Sequence, residues 1–174
     1  MKHFAPAGFL GLLTCFLGAC SSLDEPKPTS ISVAKNYPTA VVRTTAYTHS
    51  EADHLIYGSK TALGTQLRYQ GPVRSAAADW SRFPLGTRFQ IVGSPVIYEV
   101  DDYGSALVGK NTLDLYKPSK AHMNAWGARY VQIRILRWGS YQKSLEIMAP
   151  RVHHPHVREM VHAIQRRQAR AGVS

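Results

Sequence analysis

The sequence predicts a mainly β protein, built as a small barrel of mostly antiparallel strands. From Ala40 onward, short apolar runs are separated by Gly and Pro, a pattern typical of many brief strands. Apolar and polar residues alternate cleanly in residues 130–136, as expected for a half-buried strand. Helical periodicity is confined to residues 119–126 and to a tail from about Pro155. A barrel is the most economical architecture for such elements.

The N-terminus has the composition of a signal peptide. Lys2 supplies a positive charge and residues 4–19 carry none, but this stretch is shorter than the roughly 20 residues that span a membrane. It ends in Leu17-Gly18-Ala19-Cys20, which resembles the bacterial lipobox. The resemblance implies removal of residues 1–19, lipidation of Cys20 and anchoring to a membrane surface. The alternative is a plain signal peptide in which the cysteine occurs by chance.

The residues after Cys20 predict location and domain organisation. Ser21 stands where proteobacterial inner-membrane lipoproteins usually carry Asp, so we expect a lipid-anchored envelope protein at the outer membrane, facing the periplasm. Residues 20–39 are rich in Ser, Thr, Pro and Lys and predict a flexible tether. The barrel domain is then expected at residues 40–150, followed by a basic helical tail at 151–174.

Composition excludes several classes of protein. A chain with 44% hydrophobic and 18% charged residues can bury a core, so it is neither disordered nor fibrous. Its two cysteines, Cys15 and Cys20, both precede the fold, which excludes a disulfide framework or a cysteine-based zinc site there. The net charge of +10 favours anionic surroundings. Nucleic acid is not an expected partner, because export removes the chain from it.

Within the mature chain, each predicted strand is a short β-branched or alternating run. The strands are expected at residues 41–47, 88–92, 96–100 and 130–136, with residues 141–148 as a weaker candidate.

The tail predicts a short amphipathic basic helix. Its apolar residues at helical spacing are Val157, Met160, Val161 and Ile164, and its basic residues are Arg158, Arg166, Arg167 and Arg170. The apolar stripe either packs on the barrel or brings the helix to a phosphate-bearing surface. The nearby histidines lack acidic or thiolate companions at ligand spacing, so no metal site is predicted.

The segment from Asp101 to Tyr116 holds the densest cluster of small and polar residues. A turn between Asp102 and Asp114 would bring two carboxylates to one cleft. Paired carboxylates suit glycosidic bond cleavage, because one donates a proton while the other supplies negative charge. Aspartates beside glycines also serve simply as turn caps, and spacing alone leaves both interpretations open.

Seven motifs in a fixed order resemble the 3D domain of bacterial cell-wall proteins, which is named for three aspartates. They are Thr45-Ala46-Tyr47-Thr48 and residues 61–65, 76–79, 83–87, 102–106, 113–116 and 125–127. The resemblance implies a six-stranded double-psi β-barrel, the fold shared by the membrane-bound lytic transglycosylase A family and expansins. It places the three aspartates at Asp79, Asp102 and Asp114, over about residues 41–136.

The resemblance also implies roles for individual residues. Asp114 takes the place of the catalytic acid and Asp102 lies beside it, whereas Asp79 is expected to be structural. The implied substrate-binding residues are Thr45, Tyr47, Tyr103, Gly104, Ser105 and Trp126. Trp126 alternatively belongs to the core. No metal or cofactor is implied, and we expect a monomer.

The implied function is cleavage of O-glycosyl bonds in peptidoglycan glycan strands, as in a lytic transglycosylase. Thr48 and His49 follow Tyr47, where related inverting endoglucanases place their base, and this disfavours hydrolysis. Departures from the family pattern, such as the single glycine after Tyr103, leave two alternatives. One is a non-catalytic glycan-binding or wall-loosening module, and the other is a scaffold that docks through its basic tail.

Overall fold

A computed structural model describes residues 36–51 and 58–172 of the chain. The predicted signal peptide, the lipidation site at Cys20 and most of the predicted tether lie outside these ranges. No helix in the described part of the chain has both the length and the apolarity to cross a bilayer.

The described residues form six strands that close into a barrel. In chain order they are β1 (Thr39–Tyr47), β2 (Val73–Ala78), β3 (Arg88–Ile91), β4 (Ile97–Asp102), β5 (Thr112–Tyr116) and β6 (Arg129–Arg137). The four main predicted strands are thereby confirmed. The sequence analysis predicted neither β2 nor β5. The last three residues of β2 are alanines, which have low strand propensity, and β5 lies in the segment from Asp101 to Tyr116, which was interpreted as a cluster of small and polar residues.

The barrel is mixed, with two parallel and four antiparallel strand pairs. Around it the strands follow the order β1-β5-β2-β4-β3-β6. This order is unchanged when the first three strands are exchanged with the last three, and the parallel pairs β1·β5 and β2·β4 then exchange with each other. The two halves of the chain thus follow the same path, which is the double-psi arrangement that the resemblance implied.

In the part of the chain that the structure describes, three α-helices accompany the barrel, namely α1 (Lys120–Trp126), α2 (Tyr141–Met148) and α3 (Pro155–Ala171). The prediction of a strand at residues 141–148 was wrong. Ser140 caps the first turn of α2 by accepting from the Lys143 amide, and Ser144 and Met148, one turn apart, are buried. The apolar residues of this short segment fit both the two-residue period of a strand and the period of a helix. The N-cap at Ser140 favours the helix.

The core fills the barrel and continues beneath α3. Val157, Met160 and Ile164 are fully buried in the same cluster as Leu113 and Leu115 of β5. The apolar stripe of the tail therefore packs on the barrel. The basic side chains of α3 lie on its other faces, and the buried stripe is not free to enter a membrane.

Candidate active site

Strand β5 carries the site on its outer face. Leu113 and Leu115 point into the barrel and are fully buried, so Asp114 projects to the opposite side of the sheet. The register pairs Asp114 with Thr45 of β1 and with Ala77 of β2. Because both neighbouring strands flank it, the Asp114 carboxyl sits in the middle of a three-stranded surface.

The Asp114 carboxyl is oriented by one short hydrogen bond. The Thr45 hydroxyl donates to its Oδ1 at 2.6 Å. The pKa of Asp114 is raised to about 6, mainly by burial and also by the negative charges of Glu51 and Asp102, against the opposing effects of the Thr45 hydrogen bond and the Arg43 charge. A carboxyl with such a pKa exists in both protonation states near neutral pH, as a group that gives and retakes a proton requires.

Asp102 lies at the end of β4 and is almost fully buried. The Ala62 and Tyr103 amides both donate to its Oδ1, at 3.0 and 2.9 Å. The Tyr47 hydroxyl donates to Oδ2 at 3.2 Å. These bonds hold Asp102 as an acceptor beside Asp114, and they join β1, β4 and the loop that carries Ala62.

Arg151, in the C-terminal region, stabilises the two segments that hold Asp102. Its Nη1 donates to the Ala62 carbonyl at 2.8 Å and to the Tyr103 hydroxyl at 3.2 Å. Ala62 and Tyr103 are the two residues whose amides converge on one oxygen of Asp102. A guanidinium outside the barrel strands therefore ties together the two segments that hold the buried carboxylate.

Asp101 is a buried carboxylate that the sequence analysis did not place in the site. Arg68 and Ser75 donate to its Oδ2 at 2.8 and 2.7 Å, while its buried Oδ1 has no hydrogen-bond partner. Burial raises its pKa to about 6, with the charge of Asp102 adding to the effect. Its side-chain direction follows from the alternation along β4, but its burial depends on Arg68, whose position the sequence does not predict.

Glu51 is a second residue that the sequence analysis missed. No carboxylate follows Tyr47 directly, but the chain turns at Thr48, whose carbonyl accepts from the Glu51 amide at 3.1 Å. The Thr48 amide in return donates to Glu51 Oε2 at 3.0 Å. This turn returns a carboxylate toward Asp114, where it contributes to the raised pKa.

Asp79 lies apart from this pair of carboxylates and holds a turn. Its Oδ1 accepts from the amide and the hydroxyl of Ser81, at 2.8 and 2.7 Å, and its Oδ2 accepts from the Gly109 amide at 2.7 Å. It thereby ties the end of β2 to the segment that leads into β5.

The other predicted binding residues divide between two places. Thr45 and Tyr47 contact the two aspartates directly. Tyr103 packs edge-on against Trp80 at 4.8 Å, and Gly104 and Ser105 begin the short 3₁₀ turn Ser105–Leu107.

Trp126 lies in a different environment. Its ring is contacted by the Lys117 ammonium at 4.6 Å and by the Arg129 guanidinium at 4.4 Å, and it packs against the main core. The structure therefore groups Trp126 with cations and core residues, in agreement with the alternative assignment to the core.

Residues 74–137 match the model of the 3D domain family. The match includes all three aspartates and most of the barrel, but β1 with Thr45 and Tyr47 precedes it. No curated protein matches the chain. Among the described residues, no group of three or more His, Cys, Asp or Glu is arranged to hold a metal ion.

The match of residues 74–137 to the 3D domain agrees with the ordered motifs of the sequence, and a 3D domain is consistent with a peptidoglycan-related, lytic transglycosylase-like domain family.

Proposed function

We propose that this protein cleaves peptidoglycan glycan strands by the lytic transglycosylase reaction. The observation that carries the proposal is the Asp114 carboxyl, held by Thr45 at 2.6 Å on the outer face of β5 with its pKa raised to about 6. One carboxyl of this kind can serve as the acid and then as the base of a single reaction.

The reaction proceeds in two halves. The protonated Asp114 gives its proton to the glycosidic oxygen between N-acetylmuramic acid and N-acetylglucosamine, and the bond from the muramyl C1 to this oxygen breaks. The muramyl 6-hydroxyl then attacks C1, and Asp114, now a carboxylate, accepts the hydroxyl proton. A 1,6-anhydro ring forms, the acid is regenerated and no water is consumed. The nearby negative charge of Asp102 favours the positive charge that develops at C1.

The test is to incubate the purified full chain with sacculi and to analyse the soluble products by mass spectrometry. We expect anhydromuropeptides from the wild type and at least a hundredfold fewer from Asp114→Asn, because proton transfer contributes about 10²–10⁴-fold to such rates. Glu159→Gln, which removes an exposed carboxylate on α3, is the matched control and should leave the yield unchanged. Absence of soluble product, or equal product from Asp114→Asn, would overturn the proposal.

A second candidate function is non-catalytic binding to wall glycan. The net charge of +10 favours it, since wall polymers carry carboxylates and phosphates. In that case, pelleting with sacculi is unchanged in Asp114→Asn and weakens as salt rises. Anhydro products in the first experiment would exclude this candidate.

The proposal includes a place in the cell. Lipidation at Cys20 would hold the barrel at the outer membrane, facing the periplasm and the glycan. Incorporation of a labelled fatty acid into the wild type, and its loss in Cys20→Ala, is the expected result. A wild type that incorporates no label would contradict the anchor.

A further inference from the structure

Three cationic side chains, which we call the cation cluster, gather at one end of the barrel. They are Arg74 in β2, Lys117 directly after β5 and Arg129 at the start of β6. Each lies two residues beyond a residue that packs in the main core, namely Ala76, Leu115 and Val131, so alternation places all three on the inner side of the sheet. Strand β5 runs antiparallel to β2 and, through β1, to β6, so the end of β5 meets the starts of both.

Two aromatic rings contact the cation cluster. The Arg74 guanidinium lies 4.5 Å and the Lys117 ammonium 5.6 Å from the centroid of the Tyr69 ring. The Lys117 ammonium is also 4.6 Å from the centroid of the Trp126 ring, and the Arg129 guanidinium is 4.4 Å from the same centroid. Cation–π attraction offsets part of the repulsion among the three charges, but it neutralises none of them.

The charge of the cation cluster is not compensated by a carboxylate in the part of the chain that the structure describes. None of the three cations forms a salt bridge there within 4.0 Å. Lys117 is only 6% exposed, and its pKa is lowered, mainly by burial and also by the charges of Arg74 and Arg129. Tyr98 lies beside Arg74, but burial raises the pKa of its hydroxyl, which therefore stays neutral. Because a buried cation without an anionic partner is costly, a bound anion would relieve that cost.

Two buried donors of the same group of residues have no hydrogen-bond partner. They are Nε of Arg74 and Nε1 of Trp126, both of which can only donate. Buried donors are normally satisfied, and these two are half of the four unsatisfied buried side-chain atoms among the described residues. Unpaired positive charge and unused donors therefore occur together at this end of the barrel.

The cation cluster borders solvent on two sides. Arg129 is exposed. Beside Tyr69 there is a hollow of about 550 Å³, whose lining includes Tyr69, Tyr116 and Pro118, and the last two flank Lys117 along the chain. Arg68, which also lines this hollow, already forms salt bridges with two carboxylates. The positive charge that is still unpaired next to the hollow is therefore that of the cation cluster.

From these observations we propose that the cation cluster binds a phosphate group, carried either by a soluble phosphate monoester or by a phospholipid headgroup. A phosphate has up to two negative charges and several acceptor oxygens, which suit two guanidinium groups and an ammonium better than a carboxylate does. The cluster lies on the inner side of the sheet, whereas Asp114 lies on its outer face. The site is thus separate from the candidate active site and does not depend on the proposed function.

The test is calorimetric titration of the full chain with inorganic phosphate at constant ionic strength, with acetate as the carboxylate for comparison. We expect phosphate to bind more tightly than acetate, and Lys117→Met to weaken phosphate binding at least tenfold, the order of a lost charge-assisted bond. Arg129→Gln, at the exposed side of the cluster, should weaken it similarly and keeps the test decisive if Lys117→Met does not fold. Lys143→Met removes an exposed lysine on α2 and is the matched control, which should bind phosphate as the wild type does.

Thermal unfolding distinguishes a binding site from a purely structural cluster. Phosphate should raise the melting temperature of the wild type but not that of Lys117→Met. In phosphate-free buffer Lys117→Met should melt no lower than the wild type, because the variant no longer buries an unpaired charge. A lower melting temperature of the variant, together with no effect of phosphate on the wild type, would show that the cluster is structural.

Vesicles and a soluble ester identify the source of the phosphate group. Binding to phosphatidylglycerol vesicles that is lost in Lys117→Met indicates a lipid headgroup. Binding of glycerol 3-phosphate without vesicle binding indicates a soluble monoester. Equal affinity for phosphate and acetate, or wild-type phosphate affinity in both Lys117→Met and Arg129→Gln, would overturn the inference.

Discussion

Asp114 illustrates how the surroundings of one residue determine its chemistry. A free aspartate is ionised above pH 4 and has no proton to give at neutral pH. Burial on β5, with the charges of Glu51 and Asp102 nearby, raises the pKa of Asp114 to about 6. The Thr45 hydroxyl fixes its direction. The residue type was predictable from the sequence, and this environment was not.

The first prediction concerns the pH dependence of cleavage. Because the acid must be protonated when substrate binds, the rate should fall as pH rises through about 6. Rates of anhydromuropeptide release measured between pH 4.5 and 8 test this fall. In Thr45→Val the hydrogen bond that lowers the pKa of Asp114 is lost, so the fall in rate should occur at higher pH. A fall at the same pH as in the wild type would show that another group controls the rate.

The second prediction concerns stability. The unfolded Asp114 ionises near pH 4, while the folded residue stays protonated up to about 6, so the folded state loses stability as pH rises across this window. Asp114→Asn removes the loss. Its free energy of unfolding should therefore exceed that of the wild type by on the order of 2 kcal/mol at pH 7, with little difference at pH 4. Urea unfolding of both proteins at pH 4 and pH 7 measures this difference in the free energy of unfolding. A difference of the same size at the two pH values would contradict the prediction.

At the scale of elements, the link between β6 and α2 depends on a close backbone approach at Gly139. A Cβ built there would lie 2.2 Å from the carbonyl oxygens of Pro84 and Leu85. The Gly139 amide donates to the Thr87 hydroxyl at 3.0 Å, and the Ser140 amide donates to the Leu85 carbonyl at 2.9 Å. The chain after β6 is thereby fastened to the segment before β3.

The third prediction follows from this contact. Gly139→Ala should lower the free energy of unfolding by about 3 kcal/mol or more, because rigid backbone atoms must move apart. Gly104→Ala is the matched control: its Cβ would meet only Leu107 side-chain atoms, at 3.7 and 3.8 Å, and it should change stability little. Thermal unfolding of both variants measures the contrast. Similar melting temperatures for Gly139→Ala and Gly104→Ala would show that the close backbone approach at Gly139 does not restrict the residue at this position.

At the scale of the whole molecule, α3 belongs to the same core as the barrel. Ile164 and Met160 are fully buried with the residues of β5, and the Met160 sulfur accepts from the Trp80 amide at 3.4 Å. The indole of Trp80 in turn donates to the Asp102 carbonyl at 2.9 Å. Packing of the C-terminal helix thus reaches the end of β4, where Asp102 lies.

The fourth prediction tests this connection. Ile164→Ala should destabilise the entire barrel by about 2–4 kcal/mol, in one cooperative transition, whereas Gln165→Ala on the exposed face should have little effect. Near-ultraviolet circular dichroism during urea unfolding measures both. A separate early transition for α3 would show that the helix docks on a barrel that is stable alone.

Several features were predictable from local sequence. Short β-branched or alternating runs predicted β1, β3, β4 and β6, the spacing of Val157, Met160 and Ile164 predicted α3, and the ordered motifs predicted the 3D domain that residues 74–137 match. Residues 141–148 satisfied two periods at once, and β2 has too little strand propensity to be recognised. The secondary structure of such segments depends on the residues that surround them in the folded protein.

The sequence by itself determined the class of fold, the resemblance of residues 74–137 to the 3D domain and the positions of its three aspartates, because apolar periodicity and ordered motifs are properties of neighbours along the chain. Only the tertiary structure decided that Asp114 faces outward beside Thr45, that Asp102 is held by two amides, and that Glu51 and Asp101 belong to the same surroundings. The physical reason is that hydration and charge act through space. Residues more than 50 positions apart, such as Tyr47 and Asp102, become neighbours only when the barrel closes.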